Sequence, residues 1–395
     1  MATRREFLKT SSLVALAPTV PVFLQRAARA TEPGPNDRIL VVVQLDGGND
    51  GINTLIPLRD EGYALHRKQL RVPEDRVLKL TGDVGLHPSM RAAAELFESG
   101  RLAVVQGVGY PNPSRSHDVS MAIWHTARFD RRDHKQYGWI GRALDEPAVE
   151  SRGAGNSVFV ANQAMPMALT GRRSAGSSLT RLDELMVRNE APRTPLPDAG
   201  AGGDLAAFVQ RTALDAYATA EVLAEIARRP AAEEAYPASE LGNQLKLVSQ
   251  LIKAPLPARV YYAAQGGYDT HAVQLPVHAR LLRELSDAMA AFLNDLRRAQ
   301  LDQRVVVMCF SEFGRRVAEN ASVGTDHGTA GPVLVAGAPV RAGLHGSTPS
   351  LTDLIDGDVK TPVDFRQVYA TLLEDWLGLP SEAALDGRFE KLGIL

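Results

Sequence analysis

Six uninterrupted apolar runs, each as long as a β-strand, constrain the fold of this 395-residue chain more than any other feature. They span Ile39–Leu45, Leu102–Val108, Val158–Ala161, Arg259–Ala264, Arg304–Phe310 and Pro332–Ala336. Continuous runs are typical of strands that helices cover on both faces. Helical patterns with capping residues or terminal glycines lie between them, at Pro88–Ser99, Leu205–Arg229, Glu240–Lys253 and Phe365–Leu377. This alternation predicts an α/β fold, a doubly wound and mostly parallel sheet with helices on both faces.

The first 30 residues have the composition of an export signal. Arg4 and Arg5 open a basic region, a mildly apolar stretch follows, and Ala28-Arg29-Ala30 has the small-x-small form of a signal peptidase site. Prolines interrupt the apolar stretch, which falls short of the roughly 20 residues that span a membrane. We therefore expect a twin-arginine signal at residues 1–30 and a periplasmic or extracellular protein that is not integral to the membrane after cleavage. This route carries folded proteins, so a cofactor inserted before export is expected.

One segment breaks the rhythm of strands and helices. Residues 170–203 are rich in Arg, Gly, Ser and Pro with little periodicity, and the helical patterns Leu205–Arg229 and Glu240–Lys253 follow without a strand between them. We predict one domain over residues 31–395 with a loop and helical insertion at 170–255. Two arrangements of the helices fit the sequence, a cap beside the sheet or a layer packed on it.

Charge and cysteine content exclude other classes of protein. A formal net charge of −2 gives no sign of nucleic-acid binding. The single cysteine, Cys309, excludes a disulfide within the chain. It lies in the apolar run VVVMCF, so we predict that it is a small buried hydrophobic residue.

Carboxylates and imidazoles follow or precede several of the predicted strands. They are Asp46 after the first run, Asp269 and His271 after the fourth, Glu312 after the fifth, and Asp326 and His327 shortly before the sixth. Ligand sites in open α/β sheets gather at the carboxyl ends of strands, so these side chains are expected to lie close together. Such a cluster of acids is unfavourable without a cation, and carboxylates with imidazoles suit Zn, Mn or Fe. We predict one or two divalent ions, Zn first, with Mn, Fe, Mg or Ca as alternatives.

The glycines after Asp46 raise the competing possibility of a dinucleotide-binding loop. The sequence GGNDG does not match G-x-G-x-x-G, and a carboxylate at that turn would repel a pyrophosphate. A nicotinamide-dependent oxidoreductase is therefore disfavoured.

The segment YPNPSRSHDVSMAIWHTA contains a candidate nucleophile. Its prolines exclude a helix before Ser114, and the pattern from His117 to Ala127 is helical, so Ser116 lies at or near the N-cap. Its hydroxyl could attack a substrate, with free backbone amides and a metal nearby to stabilise negative charge, and Arg115 could bind an anionic group. The alternative is that Ser116 caps its helix and does nothing more.

Several motifs, in this order, resemble those of one known family. They are LDGGNDGINTLIP, VVQGVGYPNPSRSH, GGYDTH, SEFGRR, TDHGTAGP and DFRQVYATLLEDWLG. Together with the export signal they resemble a widespread bacterial family of exported proteins called domain of unknown function 1501, over nearly the whole chain after the signal. That family is related to the alkaline phosphatase and sulfatase superfamily.

The resemblance implies roles for individual residues. In the superfamily's pattern Asp46 is a metal ligand beside the nucleophile Ser116. One cation would be held by Asp46, Glu312 and His117, and another by Asp269, His271 and His327. The superfamily has an Asp-His pair where this chain has Glu312 and Phe313, and Phe313 cannot bind a metal. In an alternative register Asp326 and His327 take the role of that pair.

Two hypotheses of function follow from the resemblance. The first is an exported metal-dependent hydrolase that cleaves a phosphate or sulfate ester, with a small anionic ester or a glycan as substrate. The second is a non-catalytic exported binding or assembly protein that retains the phosphatase-like fold and acts with an exported protein partner. The departure at Phe313 suits the second hypothesis.

Overall fold

The computed structural model describes residues 38–130, 137–146, 156–174, 176–180, 234–254 and 258–395. The expected signal at 1–30, the helical pattern Leu205–Arg229 and most of the predicted insertion lie outside the described residues. No helix among the residues described combines the length and the apolar composition that crossing a membrane requires.

The described residues form fourteen strands and nine α-helices. The strands are β1 (Ile39–Leu45), β2 (Leu55–Pro57), β3 (Leu78–Lys79), β4 (Val84–Leu86), β5 (Leu102–Gly109), β6 (Asn156–Phe159), β7 (Ser177–Ser178), β8 (Ala258–Gln265), β9 (Val305–Phe310), β10 (Gly331–Ala336), β11 (Gly343–His345), β12 (Leu354–Ile355), β13 (Asp358–Val359) and β14 (Val363–Asp364). The α-helices are α1 (Gly51–Thr54), α2 (Glu61–His66), α3 (Arg91–Glu98), α4 (His117–Thr126), α5 (Trp139–Leu144), α6 (Glu240–Lys253), α7 (Gln274–Arg298), α8 (Phe365–Thr371) and α9 (Glu382–Leu385). A π-helical turn, Leu372–Trp376, continues α8.

Nine of these strands form one central sheet in the order β11-β5-β10-β9-β1-β8-β6-β7, with β14 also paired to β5. The strand β1 lies between β8 and β9 and runs parallel to both. Among the described strands of this sheet, β10 alone runs antiparallel to its neighbours, β5 and β9. The segment from β9 to β10 contains no described helix that could serve as a crossover, so the chain returns antiparallel. The prediction of a mostly parallel sheet is confirmed.

Helices cover both faces of the sheet, as predicted. Side chains alternate along β1, so that Val41 and Val43 pack on one face while Leu40 and Val42 pack on the other. The first face is covered by α3, α6 and α7, and the second by α4, α5, α8 and α9. The helix α6 is therefore part of the layer packed on the sheet, which is the second of the two arrangements that the sequence left open. Cys309 is buried in the core, as expected.

The strands β8, β1 and β9 are adjacent and parallel, so their C-terminal ends lie together at one edge of the sheet. The pairing of β1 with β8 continues past the strand ends, since the Asp46 amide donates to the Gln265 carbonyl at 2.9 Å and the Tyr268 amide donates to the Asp46 carbonyl at 3.0 Å. The loops that carry the predicted acids and imidazoles are thus anchored to the sheet.

Candidate metal centre

The loops after β8 and before β10 and the first turn of α4 bring four donor atoms together. Asp269 Oδ1 lies 3.0 Å from His271 Nε2, 3.1 Å from His327 Nε2 and 3.5 Å from His117 Nε2. The Nε2 atoms of His271 and His327 are 2.9 Å apart. We call these four atoms the candidate metal centre.

Each imidazole of the candidate metal centre has an oxygen acceptor at its other ring nitrogen. The Nδ1 contacts are His271 to Asp326 Oδ1 at 3.2 Å, His327 to the Arg115 carbonyl oxygen at 2.7 Å, and His117 to Glu312 Oε1 at 2.8 Å. A carbonyl or carboxylate oxygen accepts, so each Nδ1 is the donor and each neutral ring turns an Nε2 lone pair towards Asp269. Carboxylates and carbonyls at the second nitrogen are the usual partners of metal-binding histidines.

The donor set fits a divalent cation. Three imidazole nitrogens and a carboxylate oxygen that meet in this way are suited to bind a cation, in addition to the positive charge that Arg315 brings to Asp269 Oδ1. Four of the separations, 2.9 to 3.5 Å, approach the edge of a tetrahedral zinc shell, about 3.3 Å for bonds of about 2.0 Å. The ligand atoms of His117, Asp269 and His327 all lie within 4.8 Å of one another, in a group that does not include His271. In addition, His117 Nε2 is a buried atom without a hydrogen-bond partner in the part of the chain that the structure describes. The hydrogen bond that His117 Nδ1 donates to the Glu312 carboxylate raises the pKa of His117.

Arg315 anchors the only carboxylate of the candidate metal centre. Its side chain is buried, and the guanidinium donates to Asp269 Oδ1 at 2.6 Å and to the carbonyl oxygens of Gly48, Tyr268 and Thr325 at 2.7 to 3.0 Å. Burial alone would raise the pKa of Asp269, but the hydrogen bond and charge of Arg315 outweigh it and lower that pKa to about 2. Asp269 is therefore ionised whenever the protein is folded. The motif SEFGRR contains Arg315, yet its role was not predicted, because a buried arginine next to loop carbonyls leaves no periodic signal in sequence.

Glu312 lies beside the candidate metal centre and is bonded through both carboxylate oxygens. Oε1 accepts from the Gly47 amide at 3.0 Å as well as from His117, and Oε2 accepts from Ser311 Oγ at 2.9 Å. The side chain is only 2% exposed. Glu312 thus contacts a histidine of the centre and is not one of the four convergent donors. In the same way, Asp326 contacts Nδ1 of His271 and is not one of the four donors.

Asp46 is not one of the four donors, and its side chain accepts a hydrogen bond from Gln44 Nε2. The Gln44 amide is oriented by its own oxygen, which accepts from Tyr262 Oη and contacts His125 Nε2 at 2.7 Å. The pKa of Asp46 is raised to about 6, mainly by burial and also by the charge of Glu312, and the hydrogen bond from Gln44 opposes this rise. His117 contacts both sets of side chains, with Nδ1 2.8 Å from Glu312 Oε1 and Nε2 3.5 Å from Asp269 Oδ1.

Ser116 is the N-cap residue of α4, but its side chain makes no capping hydrogen bond. Ser116 is exposed and directly precedes His117 in the sequence. The neighbouring Arg115 pairs with the buried Asp358 through its guanidinium, while its carbonyl oxygen meets His327. The capping hydrogen bond that the sequence left open for Ser116 is not observed.

A glutamine in place of Glu312 is expected to lower the affinity of the protein for a divalent cation by about 10- to 100-fold, because the charge that orients and polarises His117 is removed. Competition with a chromophoric chelator measures this change. Glu284→Gln, which removes a carboxylate paired with Arg280 on α7, is the matched control and should bind as the unmodified protein does. An unchanged affinity in Glu312→Gln would show that this carboxylate does not act on the centre.

Comparisons with known proteins give one family and several solved structures that are distant in sequence. A family model described as "Protein of unknown function (DUF1501)" matches residues 37–388. A search of curated proteins found no match. Similar solved structures include the C-terminal periplasmic domain of EcEptC from Escherichia coli, with 10% identity, a TM-score of 0.42 and coverage of 88% of this chain and 84% of that one. The zinc complex of the same domain gives 12% identity, a TM-score of 0.37 and coverage of 78% and 75%. A protein in the alkaline phosphatase superfamily from Vibrio parahaemolyticus has 8% sequence identity and a TM-score of 0.36, and the match covers 86% of this chain and 75% of that one. At these sequence identities, the activities of the similar proteins cannot be assigned to this chain.

Proposed function

Because the chain belongs to the family described as a protein of unknown function (DUF1501), we propose its function from the chemistry of the candidate metal centre. The protein is an exported, metal-dependent hydrolase that cleaves phosphate or sulfate esters, with Ser116 as nucleophile. The observation that carries the proposal is the convergence of three Nε2 atoms on Asp269 Oδ1, each with its Nδ1 bonded to an oxygen. The export signal at residues 1–30 supports a periplasmic or extracellular site of action.

His117, Asp269, His271 and His327 would hold the cation, and zinc suits three imidazoles and one carboxylate best. A bound divalent cation supplies positive charge that lowers the pKa of a nearby hydroxyl and stabilises the developing charge of a phosphoryl or sulfuryl group.

The chain's own residues position the reacting groups. Ser116 presents an uncapped hydroxyl at the first turn of α4, where backbone amides face an approaching oxyanion. Arg115 is held by Asp358 with its side chain 44% exposed, so that it can pair with an anionic substrate. Arg315 keeps Asp269 ionised and fixed, and Glu312 orients His117. These contacts hold the site in place before substrate binds.

A second function is favoured by one observation. Four protein donors can complete a tetrahedral shell, as structural zinc sites do, whereas catalytic sites keep a position open. If all four bind at once, the cation stabilises the loops of a non-catalytic binding or assembly protein. Turnover of an ester by the metal-loaded protein separates the two functions.

The test begins with protein exported by its native route and purified without chelators. Bound metals are measured by elemental mass spectrometry, and phosphate and sulfate monoesters and diesters are screened for hydrolysis. We expect Ser116→Ala to retain the metal and to lose turnover to the background rate, because the nucleophile is absent. Ser350→Ala, on a distant loop where Ser350 accepts from the Thr352 amide, is the control and should retain turnover. Metal without hydrolysis of any ester would contradict the hydrolase and favour the binding or assembly role.

A further inference from the structure

The number of cations that the site can bind depends on which side-chain oxygens and nitrogens are not already hydrogen-bonded to other groups. Asp46 and Glu312 lie at the edge where the resemblance implies a second cation. Both oxygens of Glu312 accept hydrogen bonds, from the Gly47 amide, His117 Nδ1 and Ser311 Oγ, and the side chain is buried. A carboxylate that is bonded on both oxygens and closed to solvent has little left to offer a second ion.

Asp46 is likewise satisfied by a neutral partner. Tyr262 Oη donates to the Gln44 side-chain oxygen, and that contact turns the Gln44 amide nitrogen towards Asp46. His125 Nε2 meets the same Gln44 oxygen, so the glutamine is fixed from two sides. No imidazole of the described residues lies free beside Asp46, since His117 directs its Nε2 towards Asp269.

Phe313 packs against two imidazoles of the candidate metal centre. It is 2% exposed, and its ring centroid lies 4.9 Å from that of His117 and 4.9 Å from that of His327. The ring also packs so closely on Gly48 that a Cβ atom there would lie 2.3 Å from Phe313 Cε2. An apolar ring thus occupies the sequence position next to Glu312 where an imidazole would be required for a second site.

His117 directs one ring nitrogen towards Glu312 and the other towards Asp269. Its Nε2 is buried without a hydrogen bond, whereas its Nδ1 is held by Glu312 at 2.8 Å. The ligand atoms of His117, Asp269 and His327 lie within 4.8 Å of one another. His271 Nε2 contacts both Asp269 and His327.

From this geometry we infer that the centre holds one cation, that His117 is one of its ligands, and that Asp46 and Glu312 form no second cation site. The inference rests on the proposed function only in that a divalent cation binds at the centre. Glu312 is then a positioning residue for His117, and Phe313 is an apolar wall of a single-ion site. Its protein donors are Nε2 of His117 and His327 and Oδ1 of Asp269, with His271 Nε2 in contact with the last two.

Cobalt(II) titration of the chelator-treated full-length protein tests the inference, with bound cobalt counted by elemental mass spectrometry and the ligand set followed by visible absorption. We expect one equivalent for the unmodified protein and for Asp46→Asn, with the same spectrum. His117→Ala should bind at least about 100-fold more weakly, beyond the usual effect of an orienting residue, and its absorption bands should move because a nitrogen ligand is lost. His345→Ala, on the edge strand β11, is the matched histidine control and should behave as the unmodified protein does.

Thermal unfolding of the metal-free variants checks that each is folded, and His117→Gln, which keeps more of the side-chain volume, replaces the alanine variant if that variant is not. Two equivalents in the unmodified protein, loss of an equivalent in Asp46→Asn, or unchanged affinity and spectrum in the His117 variants would each overturn the inference. One equivalent without ester hydrolysis would contradict the proposed hydrolase and leave the inference standing, and two equivalents with hydrolysis would do the reverse. No cobalt binding would overturn both.

Discussion

Asparagine in place of Asp269 is expected to abolish the binding of a divalent cation at micromolar concentrations, with a loss of affinity well beyond the about 10- to 100-fold effect of an orienting residue. Asp269 supplies the only carboxylate among the four convergent donors, and its Oδ1 lies within 3.5 Å of all three imidazole nitrogens. The substitution removes the negative charge that offsets the cation, while the side chain keeps its size. Isothermal titration with zinc or cobalt measures the loss.

The asparagine variant also separates binding from folding. An asparagine oxygen can still accept the hydrogen bond from Arg315, so the loops that this arginine ties together retain their anchor. We expect the metal-free variant to remain folded but to unfold at a lower denaturant concentration than the metal-free unmodified protein, because the buried Arg315 loses its charged partner. Asp353→Asn, which removes a surface carboxylate paired with Lys360, is the matched control and should bind the cation normally. Unchanged affinity in Asp269→Asn would show that the cluster is an ion-pair network without a cation.

Much of the fold could be predicted from sequence because buried parallel strands have a direct compositional signature. The continuous run at Ile39–Leu45 and its counterparts gave the main strands within a few residues of their observed bounds. The reversed strand β10 could not be predicted in the same way, since its direction depends on the absence of a crossover helix in the segment after Phe310. An apolar run reads the same in either direction.

The candidate site could be predicted only to the level of a shared sheet edge. The rule that ligands gather at strand carboxyl ends placed Asp269, Glu312 and Asp46 in one region. Which oxygen faces a cation and which faces an imidazole Nδ1 depends on side-chain rotamers that the sequence does not encode locally. The grouping of His117 with Asp269, and the clamp formed by Arg315, arise from contacts between loops far apart in the chain.

The same limit applies to Asp50, which lies in the glycine-rich turn after β1. Asp50 does accept a capping hydrogen bond from the Asn53 amide at 3.3 Å, and it also forms a fully buried ion pair with Arg67. Arg67 Nη1 and Nη2 donate to the two Asp50 oxygens at 2.6 and 3.1 Å. The remaining guanidinium contacts are with the carbonyl oxygens of Arg316 and Val317, so this pair fixes the chain next to the SEFGRR loop.

Methionine in place of Arg67 is therefore expected to lower the free energy of unfolding by about 3–5 kcal/mol, because it leaves the Asp50 carboxylate buried without its cation. Chemical denaturation measures the change. Arg388→Met, which removes an exposed partner of Glu382, is the matched control and should leave the midpoint in place. The double variant Asp50→Asn/Arg67→Met should recover part of the loss, since the buried charge is then absent.

The pH dependence of this loss identifies the unpaired charge as its cause. Burial alone would raise the pKa of Asp50, but Arg67 outweighs it and lowers the pKa to about 2, against an ordinary value of 3.8. The pair therefore stabilises the unmodified protein fully above about pH 4, and this contribution is lost as the pH falls towards 2. Without Arg67 the folded-state pKa of Asp50 rises above its unfolded value, so the variant gains stability on protonation. The difference between the two proteins should thus be smaller at about pH 4.5 than at about pH 7. A difference that stays constant over that range would assign the loss to packing around Arg67 and not to the buried carboxylate.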